Sequence, residues 1–174
     1  MRWLFGIIFK LFGWAVEGDL PDIKKFVLIV APHTSNWDFI VGVLARGILN
    51  KPISYLGKKS LFNPPFGWFF RWLGGQPVDR KASKNMVDTV AEIFNSKEQF
   101  ILALAPEGTR SQVNQWRTGF YHMAVQANVP IVGVAFDYGS RRVRVFKPFF
   151  PSGSLDRDLP TIQAPFKQVR GKNF

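Results

Sequence analysis

An α/β fold is predicted for this chain: a single domain with a mixed, mostly parallel sheet flanked by helices, and an N-terminal interfacial amphipathic helix. Three observations predict it. Short apolar runs alternate with segments of helical periodicity along the sequence. Two of those runs, Phe26–Ala31 and Phe100–Ala105, end in polar turns, one holding His33 and Asp38 and the other spanning 106–110. At 174 residues and 47% hydrophobic content, the chain can bury one good core but not two comfortable domains.

Residues Trp3 to Val16 are nearly all apolar, interrupted by Gly6, Lys10 and Gly13. Read as one helix they span about 21 Å, short of a hydrocarbon core of roughly 30 Å, so the segment does not cross a bilayer. Glu17-Gly18-Asp19 follows, where a signal peptide would carry a small-residue cleavage site. Trp3 and Trp14 near the ends, with Arg2 and Lys10 reaching headgroups, suit a helix lying in a membrane interface. A helix packed on the domain is the other reading. Residues 1–17 are thus set apart as a membrane-interface helix from the domain over 18–174.

Strands are predicted near 26–31, 53–57, 100–105, 130–136 and 142–147, and helices near 37–49, 84–96 and 119–127. Ser83 and Thr118 are the N-caps expected for the last two helices. Met86, Val87, Val90, Ala91 and Phe94 form an apolar stripe on the helix over 84–96. Pro64 and Pro65 stop any helix before Phe66, which leaves a short aromatic helix over 66–73. A helix apolar on every face must be buried in protein or in lipid. Core packing, a membrane-facing lip and the wall of an acyl-chain channel all fit. His122 is expected to pack beside Tyr121 and Met123. A short helix near 159–168 is predicted in the Pro- and Gly-rich segment that follows Phe149.

Composition narrows the chemistry. Cys is absent, which excludes disulfides, thiolate metal sites and a Cys nucleophile, and is compatible with a reducing compartment. Two His cannot build a His-rich cluster, so no metal is expected. The net charge of +11 calls for an anionic partner. Lipid headgroups, a phosphorylated substrate, an acidic carrier protein or nucleic acid could each answer it. The 18 Phe and 6 Trp favour an anionic membrane surface. Nucleic acid is not expected, since there is no zinc knuckle, aromatic strand motif or helix-turn-helix pattern. Arg142 and Arg144 fall on one face of a predicted strand next to Arg141, to touch headgroups or to guard a solvent-exposed edge.

The polar turns carry the candidate chemistry. In Ala31-Pro32-His33-Thr34-Ser35-Asn36-Trp37-Asp38, an imidazole and a carboxylate follow directly on an apolar strand. Open α/β folds keep their sites at such strand ends. A carboxylate accepting Nδ1–H fixes the tautomer and leaves Nε2 free as a base. Pro106-Glu107-Gly108-Thr109-Arg110 ends a second apolar run, and two such turns suggest one shared site.

Together these residues resemble the glycerolipid acyltransferase family, in the manner of the enzymes that acylate 1-acyl-sn-glycerol-3-phosphate and other lysophospholipids. The family's first motif, a His and an Asp with four residues between, matches His33 and Asp38. Its Pro-Glu-Gly-Thr-Arg motif matches Pro106 to Arg110 residue for residue. A second motif is similar to Gly74 through Val78-Asp79-Arg80, preceded by a Lys-rich turn like Gly57-Lys58-Lys59. The fourth resembles Val129-Pro130-Ile131-Val132. The chain departs from the pattern at Gln76-Pro77, Ala105 and Gly133.

The resemblance implies that residues 18–174 form an acyltransferase domain. It would move a fatty acyl group from a thioester, acyl-CoA or acyl carrier protein, to a lysophospholipid hydroxyl, with that donor as co-substrate and no other cofactor. The acceptor implied is 1-acyl-sn-glycerol-3-phosphate, giving phosphatidic acid. Glycerol-3-phosphate, a lyso-aminolipid or a glycolipid would need the same chemistry, and a non-catalytic basic membrane-binding protein is the reading from another class. His33 is then the general base and Asp38 its orienter. Arg110 and Arg80 are expected to hold the acceptor phosphate, and Lys58 a phosphate or the carrier unless it is merely solvated. Glu107 either hydrogen-bonds the acceptor's glycerol or holds Arg110. Gly108 permits the tight turn and Thr109 caps it locally. The N–H groups around Gly108 and Thr109, or those opening the helix at Trp37, are the candidates for the oxyanion hole. The expected location is the cytoplasmic face of the cell membrane, peripheral or monotopic.

Overall fold

The computed structural model describes residues 2–78, 86–111 and 113–173. In chain order the helices are α1 (Arg2–Leu11), α2 (Trp37–Leu49), α3 (Gly67–Trp72), α4 (Met86–Ser96), α5 (Gly119–Gln126) and α6 (Leu155–Gln163). The strands are β1 (Ala15–Glu17), β2 (Lys25–Ala31), β3 (Ile53–Lys58), β4 (Gly75–Val78), β5 (Phe100–Leu104), β6 (Ile131–Asp137) and β7 (Arg142–Val145). They form one sheet in the order β1-β7-β6-β2-β5-β3-β4. Every pairing is parallel except β6 with β7.

β2 sits at the centre because it is apolar along almost its whole length, with Phe26, Val27, Leu28 and Ile29 all buried. The path from β2 to β3 passes β5, whereas the paths from β4 to β5 and from β5 to β6 run the opposite way. Right-handed crossovers therefore place α2 on one face and α4 and α5 on the other. The core divides accordingly. Val27 and Ile29 pack with Val90, Phe94, Phe120 and Ala124 under α4 and α5. Phe26 and Leu28 pack with Val41, Ala45, Val134 and Phe136 under α2. The five mutually parallel strands β6, β2, β5, β3 and β4 all end at one edge of the sheet, and that edge carries the site.

Several boundaries differ from the sequence expectation. The amino-terminal helix stops at Leu11, because Gly13 takes a φ of +74° and the N–H of Trp14 turns back to the carbonyl of Phe9. The following residues form β1, an edge strand beside β7. α1 is seated on α2 through Phe5, whose ring occupies the space a Cβ on Gly47 would need, 2.5 Å away. Phe9 is buried in the core while Trp3 and Leu11 face outward at 70% and 80% exposure. The described part of α4 begins at Met86, and the expected cap Ser83 lies outside the described residues. Thr118 precedes α5 but makes no side-chain cap bond. The last helix starts at Leu155, after Ser154, and runs through Pro160, earlier than expected, with Asp156 and Asp158 in its first turn where the helix dipole favours them.

The aromatic helix is real but does not pack in the core: Trp68 and Trp72 are 69% and 68% exposed. His122 is likewise exposed, touching only the edge of Tyr121 among the rings. Arg142 and Arg144 are not free to guard an edge. Both face Glu17 of β1, Arg144 also pairs with Asp137 at 3.1 Å, and β1 covers their strand.

Candidate active site

The loop after β2 wraps around one carboxylate. Asp38, in the first turn of α2 and 2% exposed, accepts the N–H of Thr34 at 2.7 Å and of Ser35 at 2.8 Å on Oδ2. The same oxygen lies 3.0 Å from Nδ1 of His33. A fourth group reaches the carboxylate from the end of the neighbouring strand β6: the Tyr138 hydroxyl donates to Oδ1 at 2.7 Å. Burial pushes the Asp38 carboxyl upward, but His33, Tyr138 and the two N–H groups outweigh it and hold it below the usual carboxylate range. The Tyr138 phenol is correspondingly pushed up by burial and by the carboxylate it serves. His33, engaged through Nδ1 and 29% exposed, keeps Nε2 for another partner.

The turn after β5 joins the same site. Oε2 of Glu107 accepts the backbone N–H of His33 at 2.7 Å, tying two segments 74 residues apart. This is a third role, beside the glycerol contact and the Arg110 contact that the sequence left open. Burial raises the Glu107 carboxyl, against the pull of that N–H. Gly108 adopts a φ of +66°, and a Cβ there would stand 2.7 Å from the Arg117 side chain. Its N–H already donates to the carbonyl of Ala105 at 3.1 Å, so it is not an idle oxyanion donor. The N–H of Trp37 is similarly directed to Oγ of Ser35 at 3.2 Å. Thr109 Oγ1 accepts the N–H of Ser111 at 3.3 Å within the turn.

His33 lines two cavities, one strongly apolar and one with a mixed polar and apolar lining. One, about 240 Å³, runs between α2 and the sheet and is lined by Leu28, Val30, Phe39, Val43, Leu49, Ile53 and Leu104 among others, with His33 and Asp38 at one end. The second, about 670 Å³, is lined by His33 together with Gly108, Thr109, Arg110, Tyr55 and Met86. Arg110 also lines a third, polar hollow with Ser35, Trp37, Lys172 and Asn173. Imidazole and guanidinium therefore line the same cavity.

The remaining sequence candidates are less engaged. Lys58 ends β3 on the same sheet edge, exposed, and lines none of these three cavities. Arg80 lies outside the described residues. No group of three or more His, Cys, Asp or Glu is placed to hold a metal among the described residues. Sequence reasoning missed Tyr138. It had a usable signal, since Tyr138 directly follows an apolar strand, as His33 nearly does.

Comparison with known proteins agrees with the geometry. Residues 15–137 match the model of a family described as Acyltransferase. Over 151 residues the chain is 32% identical to the 1-acyl-sn-glycerol-3-phosphate acyltransferase of Escherichia coli K12, covering 82% of this chain and 60% of that protein. It is 30% identical over 170 residues to the enzyme of the same name from Saccharomyces cerevisiae, covering 85% of this chain and 54% of the relative. The fold resembles the crystal structure of the 1-acyl-sn-glycerophosphate (LPA) acyltransferase from Thermotoga maritima. That likeness has a TM-score of 0.66 at 19% identity and covers 96% of this chain and 75% of the other. The chain thus spans about 60% of the length of the bacterial relative.

Proposed function

The chain belongs to the acyltransferase family, and from that premise we propose that it transfers a fatty acyl group from a thioester to the free hydroxyl of 1-acyl-sn-glycerol-3-phosphate, giving phosphatidic acid. The observation that carries the reading is the position of His33, shared between an apolar chamber and a second cavity that Arg110 also lines. A lipid substrate needs both. The chamber has the volume of about eight water-sized groups. Filling it with as many methylenes would contribute on the order of 6 kcal/mol of binding. The printed names of the relatives supply the choice of acceptor.

The reaction follows from these groups. The acceptor hydroxyl donates to Nε2 of His33, and its oxygen attacks the thioester carbonyl as His33 takes the proton. Asp38 keeps the ring in the Nδ1–H tautomer and stabilises the imidazolium that forms. The tetrahedral intermediate then collapses, the C–S bond breaks, and His33 returns its proton to the departing thiolate. A thiolate leaves readily, so no covalent enzyme intermediate is required. Arg110, half of a fork-shaped match to a phosphate, holds the acceptor's charged end. Glu107 sets the height of the His33 loop.

Large apolar side chains stand exposed at the start of α2 (Trp37, Phe39 and Ile40) and in and before α3 (Phe66, Trp68, Phe69 and Trp72), and Phe39 also lines the chamber. With the exposed Trp3 and Leu11 of α1 they support docking on a membrane surface, and no helix among the described residues is long and apolar enough to cross a membrane. The test is direct. Purified chain on anionic vesicles with labelled acyl-CoA or acyl carrier protein and lysophosphatidic acid should form phosphatidic acid, and His33→Ala should lose roughly 10²–10⁴ in turnover. Equal turnover by His33→Ala, or no product from either donor, would overturn the proposal.

A further inference from the structure

We infer that Tyr138 is a positioning residue for the His33–Asp38 pair, fixing the carboxylate from the side that its own loop does not reach. The two oxygens of Asp38 have different surroundings. Oδ2 faces Thr34, Ser35 and His33, all from the loop before α2. Oδ1 accepts from the phenol of Tyr138, 100 residues further along the chain. Held through Oδ2 alone, the carboxylate can turn about that anchor. Held through both oxygens, its plane is set, and with it the line from Oδ2 to Nδ1. Without the phenol, Oδ1 would also be a buried charged atom lacking this donor, which is costly.

Tyr138 is itself placed from two directions. Its ring meets Trp14 edge-on, with centroids 4.9 Å apart, and Trp14 rests on the buried Phe9 of α1 at 5.7 Å. Its backbone N–H donates to the carbonyl of Arg170 at 2.9 Å. The same segment then returns to the His33 loop, where the N–H of Lys172 reaches Oγ1 of Thr34 at 2.9 Å and Nδ2 of Asn173 reaches its carbonyl at 2.6 Å. Gly171 makes this approach possible, since a Cβ there would fall 2.7 Å from Cγ2 of Thr34. One stretch of chain thus holds both the backbone of Tyr138 and the loop that carries His33. Tyr138 lines none of the three cavities, so it acts through Asp38 and not on substrate.

The kinetic part of the test rests on the acyl-transfer reading, and the spectroscopic part does not. Tyr138→Phe keeps the ring against Trp14 and removes only the donor. In the full chain labelled with ¹⁵N-histidine, the neutral His33 ring should be the Nδ1–H tautomer, whereas the variant should populate both tautomers. Exposed His122, the only other histidine, serves as reference. On vesicles kcat should fall about 10- to 150-fold, the range for one hydrogen bond to a charged group, with both KM values within about twofold. A single Nδ1–H tautomer in the variant, or a KM rise at constant kcat, overturns the proposal. If neither protein transfers acyl groups, the tautomers still decide the role of Tyr138, and the acyl-transfer reading alone fails.

Discussion

Replacing Glu107 separates a structural tie from a substrate contact. Its Oε2 accepts the His33 N–H at 2.7 Å, so the carboxylate links the turn after β5 to the loop that carries the base. A hydrogen bond to a charged group contributes about 1.5–3 kcal/mol. If that energy is spent on placing His33, Glu107→Ala should lower kcat about 10- to 150-fold at about 1.4 kcal/mol per decade. Glu107→Gln retains an acceptor without the charge and should lose only about 3- to 10-fold, the difference between charged and neutral bonds being about 1 kcal/mol. Because the bonded partner is the backbone of His33, the acceptor KM should stay within about twofold in both variants. Initial rates of phosphatidic acid formation on vesicles, over a range of lysophosphatidic acid at saturating donor, give both constants. A rise in acceptor KM with kcat intact would refute the reasoning and make Glu107 a ligand of the glycerol.

Arg110→Ala should raise the acceptor KM about 10- to 150-fold, the worth of a lost charged hydrogen bond, and Arg110→Lys should not restore it; an unchanged KM makes Arg110 structural. Asp38 carries a lowered carboxyl, because its donors outweigh its burial, so its stabilisation is present above the unfolded value of about 3.9 and is lost as pH falls through the lower folded value. Asp38→Asn should therefore lower the urea midpoint at pH 7 and flatten its decline in acid, whereas parallel curves for the two proteins would contradict this. Gly47→Ala puts a Cβ 2.5 Å from the Phe5 ring and should cost about 1–3 kcal/mol by lifting α1 from α2, read as a lower thermal midpoint; an unchanged midpoint would show that α1 is only loosely seated.

The sequence made the centre of the fold legible and its margins much less so. β2, β5 and β6 announce themselves because both faces are buried and the chain must be apolar throughout. β1 and β4 were missed because three or four residues at a sheet edge carry almost no pattern, and Pro77 argues against a strand unless that strand is an edge. The polar turns of the site were visible since they interrupt apolar runs. Their mutual contact was not: that Glu107 bonds the backbone of His33, and Tyr138 the side chain of Asp38, depends on strand order, which local periodicity does not encode. The exposure of α3 was equally hidden, because an all-round apolar helix looks the same whether protein or lipid will cover it.

His33 and Arg110 are proposed to grip one lipid. A crystal structure of the His33→Ala chain with lysophosphatidic acid tests it most directly. The phosphate should lie in a bidentate contact with Arg110, and the free hydroxyl should point at the space vacated by the imidazole, about 3 Å from where Nε2 would stand. A phosphate bound away from Arg110, or a hydroxyl facing away from residue 33, would contradict the account.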